Sequence, residues 1–145
     1  PIIAAGGFID GRTMAGALAL GAEGIQLGTR MVSATESPVH DNWKQAIVTA
    51  EETDTVFLNR LQSPGLRALR TERTSALERA PETNAMAEFG DPKALYFGGD
   101  MEAAIPLTGQ VCGRIDAVRP VAEILAEIAR ECAETLDELH RVYGN

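Results

Sequence analysis

PIIAAGGFIDGRTMAGALALGAEGIQLGT, residues 1–29, decides the fold. Residues 1–5 are an unbroken apolar run closed by two glycines, the pattern of a strand buried on both faces of a parallel sheet. Met14, Ala17, Leu18 and Ala22 then recur at helical spacing, with Asp10 placed to cap the start and Gly21 near the end. EGIQLGT, residues 23–29, forms a second short strand that again ends in glycine. Strand, helix and strand in so short a span make a βαβ unit whose strands run parallel, as neighbours or nearly so.

The two glycine endings carry the chemistry. A parallel strand that stops at Gly6-Gly7 and feeds a helix exposes backbone N–H groups where no side chain blocks an anion. The second strand stops in the same way about twenty residues later at Gly28, and Thr29 adds a hydroxyl donor. Two donor-rich strand ends side by side suit one phosphate, the arrangement that follows strands seven and eight of many (β/α)₈ barrels. Arg30, on the outgoing segment, fits an ion pair better than a ligand contact and is left out of the site.

Further along, a helix follows with Ser37 and Pro38 suited to its cap and first turn and Trp43, Ala46, Ile47 and Ala50 on one face. Regular alternation of strand and helix then fades, and the fold of residues 51–106 is not fixed by pattern. TDTVFL (53–58) fits a short strand, RALRTERTSALERA (67–80) a helix, and EFGDPKALYFGGD (88–100) mostly loop. Val118, Val121, Leu125, Ile128, Cys132, Leu136 and Leu139 step by three and four, with Pro120 in the first turn and Gly144 past the end. They predict one long amphipathic helix.

With 13 basic against 21 acidic residues the formal charge is -8, which disfavours nucleic acid and anionic lipid as partners. No apolar run reaches the ~20 residues of a membrane helix, and no basic segment precedes the first one, so a cytoplasmic address is expected. Cys112 and Cys132 are too few and too far apart for a zinc cluster or a redox pair and are expected as buried thiols. No metal site is expected. His40, His140 and the Glu51-Glu52 pair read as structural or surface groups.

Residues 1–37 resemble the final two strands of the nitronate monooxygenase family, formerly 2-nitropropane dioxygenases, which are FMN-dependent barrel enzymes. SPVHDNWKQAIVTAEETDTV (37–56) and AIPLTGQVCGRIDAVRPVAEIL (104–125) are similar to that family's helical region after the barrel. The resemblance implies an α/β fold: the C-terminal part of a TIM (β/α)₈ barrel, its last two βα units in residues 1–36, with a mainly helical extension of the same domain in 37–145. It implies FMN as cofactor, its phosphate held by Gly6 and Gly7 at the first strand end and by Gln26, Leu27, Gly28 and Thr29 at the second. Gln26 and Leu27 rest on the resemblance alone, and Leu27 offers only backbone or packing.

A full barrel takes about 250 residues, so six βα units are expected ahead of Pro1. The family's catalytic histidine lies in a Gly-Gly-His segment that does not occur in this sequence, so no catalytic residue is expected here, and this stretch alone is expected to be inactive. The reaction implied is oxidation of a nitronate, with O₂ as co-substrate. The related flavin-type enoyl-acyl-carrier-protein reductase, whose tail has a step like Gly109-Gln110, is the alternative enzyme. A non-catalytic remnant that binds FMN or a partner chain is the alternative of another class. Open parallel strands of so short a chain are expected to pair with another copy or another chain.

Overall fold

The computed structural model describes residues 1–144. β1 (Ile3–Ala5) and β2 (Gly24–Gln26) pair in parallel with Ala5 opposite Gln26, and α1 (Gly11–Ala19) crosses between them. The start of α1 is set as its sequence predicts. Asp10 Oδ1 accepts from the Thr13 amide at 2.8 Å while Thr13 Oγ1 accepts from the Asp10 amide at 3.3 Å, a reciprocal cap. A short α2 (Thr29–Val32) follows β2 directly.

The expectation that residues 1–5 are buried on both faces is not met. Ile2 and Ile3 stay 64% and 58% exposed, because β2 is the only strand paired with β1 among the described residues. α3 (Asp41–Val48) also begins later than Ser37-Pro38 suggests. Val39 turns into the core, and His40 becomes the cap, its Nδ1 accepting from the Asn42 amide at 3.1 Å. Trp43 and Ile47 face inward as expected, Trp43 edge-on against Tyr96.

Residues 51–106 build a second, antiparallel sheet. β3 (Thr55–Leu58) lies where a strand was expected, and it pairs with β4 (Leu66–Leu69). That pairing claims the first part of the stretch expected to be helical. The helix there, α4, spans only Glu72–Arg79, capped by Thr71. α5 (Pro92–Tyr96) forms inside the stretch expected to be loop, with Asp91 Oδ1 accepting from the Lys93 and Ala94 amides and Pro92 at the first helical position.

The hairpin has its own core of Val56, Leu58, Ala68 and Ile105. Trp43, Ile47, Leu95, Cys112 and Ile115 form a second core that also takes in Ile9. Both cysteines are buried free thiols, as expected.

A 3₁₀ turn (Gln110–Arg114) leads to α6 (Val121–Tyr143), the long helix the sequence predicts, but it begins after Val118 with Pro120 as its cap. Its buried stripe is Ile124, Ile128 and Cys132, with Leu125, Leu136 and Leu139 exposed because α1 and α2 cover only one side of it. Ile124 and Ile128 pack with Ala34, and Met14, Ile25, Leu27 and Met31 close over them. α1 lies so near α6 that a Cβ on Gly11 would fall on the backbone nitrogen of Cys132. Each of these helices starts on a carboxylate from elsewhere in the chain. The Gly11 amide, first in α1, donates to Glu131 Oε2 at 2.8 Å, and the Val121 amide, first in α6, donates to Glu36 Oε2 at 2.9 Å. No helix among the described residues is long and apolar enough to cross a membrane.

Candidate functional site

The parallel register brings the two glycine endings together. Because Ala5 stands opposite Gln26, the chain leaves the sheet at Gly6-Gly7 and at Gly28-Thr29 on one edge, and all four residues line one cavity of about 180 Å³ with Gln26. Gly6 and Gly7 have φ of +95° and +84°, backbone that side chains rarely adopt. A Cβ on Gly6 or Gly28 would meet nothing within 4 Å. Glycine at those two positions therefore leaves bare backbone facing open space.

Leu27 is not brought into the cavity. Just past the end of β2, its side chain packs against the Ala34, Ile124 and Ile128 cluster instead. Four lining residues were missed by sequence reasoning: Ala5 and Phe8 flank the first glycine pair, and the other two come from elsewhere. Gly109 and Val111 reach the cavity from the far end of the chain, with the Gly109 amide donating to Thr29 Oγ1 at 2.7 Å. No local pattern marks such a contact across 80 positions.

The chemistry of the lining is that of an anion site made of backbone. No charged side chain borders the cavity. Among the described residues, the amides of Gly7, Gly28 and Thr29 donate to no protein acceptor. Unpaired N–H groups around an uncharged hollow favour an acceptor-rich ligand, and a phosphate group fits that donor set.

Arg30 lies outside this cavity, as expected, but it forms no ion pair among the described residues. It is 7% exposed, and its Nη1 donates to Ser33 Oγ at 3.0 Å and to the Ala117 carbonyl at 2.9 Å. Burial, and then the neighbouring Arg119 charge, pull its pKa below the usual guanidinium value, against Asp116 and Glu127. It faces a second cavity, of about 210 Å³, where Arg114 and Arg119 are already paired with Asp10 and Glu127. His40 and His140 border neither cavity. No group of three or more His, Cys, Asp or Glu side chains is set to hold a metal among the described residues.

The model of the nitronate monooxygenase family matches residues 1–131. The chain belongs to this family. A nitronate monooxygenase from Paraburkholderia phytofirmans is 31% identical over 97% of this chain and 40% of its own length. Among solved structures, FabK from Thermotoga maritima superposes with a TM-score of 0.90 at 39% identity, over 98% of this chain and 47% of its own. Nitroalkane oxidase from Streptomyces ansochromogenes gives 0.76 at 28% identity, over 96% of this chain and 41% of its own.

The chain thus spans less than half the length of each of these proteins. Nitronate monooxygenases are oxidoreductases and flavoenzymes. The α/β chain with its parallel βαβ unit is consistent with part of a TIM barrel, and α6 runs past the matched region to Tyr143.

Proposed function

We propose that residues 1–36 are the last two βα units of an FMN-dependent barrel enzyme that oxidises nitronates, and that this chain grips the cofactor's phosphate. The observation that carries the reading is the meeting of two glycine strand ends around one uncharged cavity, with the Gly7, Gly28 and Thr29 amides unpaired among the described residues. The redox chemistry, electron withdrawal from a nitronate with O₂ as the final acceptor, is what FMN supplies when bound. Gly6 and Gly7 keep the first turn open to the phosphate. Gly28 and Thr29 offer amides and a hydroxyl to its oxygens, and Gln26 stands beside them. Leu27 supports the loop from behind through its packing on Ile124 and Ile128.

Titration of the chain with FMN, followed by flavin fluorescence alongside sedimentation, tests this. Saturable binding is expected, stronger for FMN than for riboflavin, and lost in Gly28→Glu, which puts a carboxylate where the phosphate belongs. A denaturation curve of that variant separates loss of the site from loss of the fold, since the side chain enters open space. Equal affinity for the two flavins, or undiminished binding by Gly28→Glu, would overturn the phosphate site.

The likeness to FabK favours a second reading, a flavin-type enoyl-acyl-carrier-protein reductase fed by a nicotinamide donor. Stopped-flow mixing of the intact flavoprotein with a nitronate and, separately, with NADH divides the two. Prompt reduction by NADH alone would select the reductase.

A further inference from the structure

Thr29 supplies the hydroxyl of the pocket, and that hydroxyl is held by a residue near the other end of the chain. The Gly109 amide donates to Thr29 Oγ1 at 2.7 Å. This bond takes up a lone pair of the oxygen. Among the described residues the hydroxyl's own hydrogen goes to no protein acceptor, so the oxygen receives from Gly109 and its proton is left for whatever enters the cavity.

Gly109 is suited to this by lacking a side chain rather than by an unusual backbone. Its φ of -85° and ψ of 158° are open to any residue. A Cβ there would lie 3.1 Å from Thr29 Oγ1, closer than side chains ordinarily pack, while Val111 Cγ2 at 3.4 Å would be in ordinary contact. Alanine would therefore crowd the hydroxyl off its bond and leave Val111 in place.

We propose that Gly109 is a positioning residue: through its N–H it turns the Thr29 hydroxyl into a fixed donor toward a phosphate monoester, and so supplies part of the preference for phosphorylated over dephosphorylated flavin. This rests on the phosphate-site reading above. A phosphate oxygen near neutral pH mainly accepts hydrogen bonds, so a hydroxyl already receiving one bond is matched to it. Riboflavin presents no such group, and it should not register the change.

The test compares FMN and riboflavin affinities by flavin fluorescence in the unsubstituted chain, Gly109→Ala, Thr29→Val, Thr29→Ser and the Gly109→Ala/Thr29→Val double variant. Thr29→Val should lose about tenfold in FMN affinity, the usual scale for a hydrogen bond to a charged group, and Gly109→Ala about fivefold, with riboflavin unchanged in both. Thr29→Ser, which keeps the hydroxyl, should retain the preference. The double variant should bind FMN no worse than Thr29→Val, because Gly109 acts only through the hydroxyl.

Equal losses for the two flavins in Gly109→Ala, or additive losses in the double variant, would overturn the positioning role while leaving the phosphate site standing. An unsubstituted chain that shows no preference for FMN, or binds neither flavin, would overturn both. A measurement free of folding defects uses the unsubstituted chain: the Gly109 amide proton resonance should shift on titration with FMN and not with riboflavin. An unmoved resonance at FMN saturation would also overturn the role.

Discussion

Residues 1–36 and residues 51–107 are held together by different means, and the contrast explains where the chemistry sits. The first region has two three-residue strands, glycine at every turn that matters, and apolar side chains left in the open at Ile2, Ile3 and Leu20. Its order is imposed from outside, by α6 lying against α1 and by the Gly109 segment reaching Thr29. The second region has a hairpin whose Val56, Leu58, Ala68 and Ile105 are almost fully buried among themselves. With only three residues paired on each strand, this region takes its rigidity from neighbours, and the strand-end amides of Gly7, Gly28 and Thr29 stay free of protein acceptors among the described residues.

Substitution of the same residue type in the two regions gives the widest separation. Ile105→Ala, at a site with no exposed surface, should cost about 2–5 kcal/mol in chemical denaturation. Ile3→Ala, in the exposed strand, should cost no more than about 0.5 kcal/mol in this chain. Comparable costs would mean that β1 is covered by another copy or another chain, and sedimentation would then show the association.

Gly11→Ala tests the seam between α1 and α6. The methyl group would fall on backbone of α6 rather than on a side chain that can swing aside, so a loss of about 1–3 kcal/mol or more is expected. Weakened FMN binding should accompany it if the site takes its rigidity from this seam. Unaltered FMN affinity at reduced stability would show that the strand ends hold their shape unaided.

A smaller effect comes from Cys112, in the core shared by the two regions. Burial raises its thiol above the ordinary value of 9.0, and the Asp54 and Glu52 charges add to that against backbone hydrogen bonds. The folded state thus holds this proton more tightly than the unfolded chain does. Its contribution is fully present below about pH 9 and is lost as pH rises through the folded value, by at most about 1.4 kcal/mol per pH unit. Denaturation midpoints taken across that range should fall more steeply than in Cys112→Ala.

The same contrast governs what could be read from the sequence. β1, α1, β2 and α6 were legible because their signals are local: an apolar run closed by glycine, Asp10 at the start of a helical pattern, a stripe stepping by three and four. β4 was not, because Leu66, Arg67, Ala68 and Leu69 are good helix formers and only pairing with β3 across the turn makes them a strand. α5 hid behind its Gly and Pro neighbours, although Asp91 followed by Pro92 is itself a helix start. In the site, the glycines and Thr29 were read from the chain's own pattern. Gln26 came from resemblance. Leu27 came from the same source, as backbone or packing only, and it packs on the Ile124 and Ile128 cluster. Gly109 and Val111 lay beyond any local pattern because their role exists only after the chain has closed on itself.

The two caps carry a consequence for motion. The first amide of α1 is held by a carboxylate from α6, and the first amide of α6 by a carboxylate just beyond α2. Neither start can fray while α6 stays docked on residues 1–36. The amides of Gly11 and Val121 should therefore exchange with solvent deuterium at one common rate, through a single opening of α6 from the βαβ unit. The glycine-rich strand ends gain a clock set by the last helix in the chain.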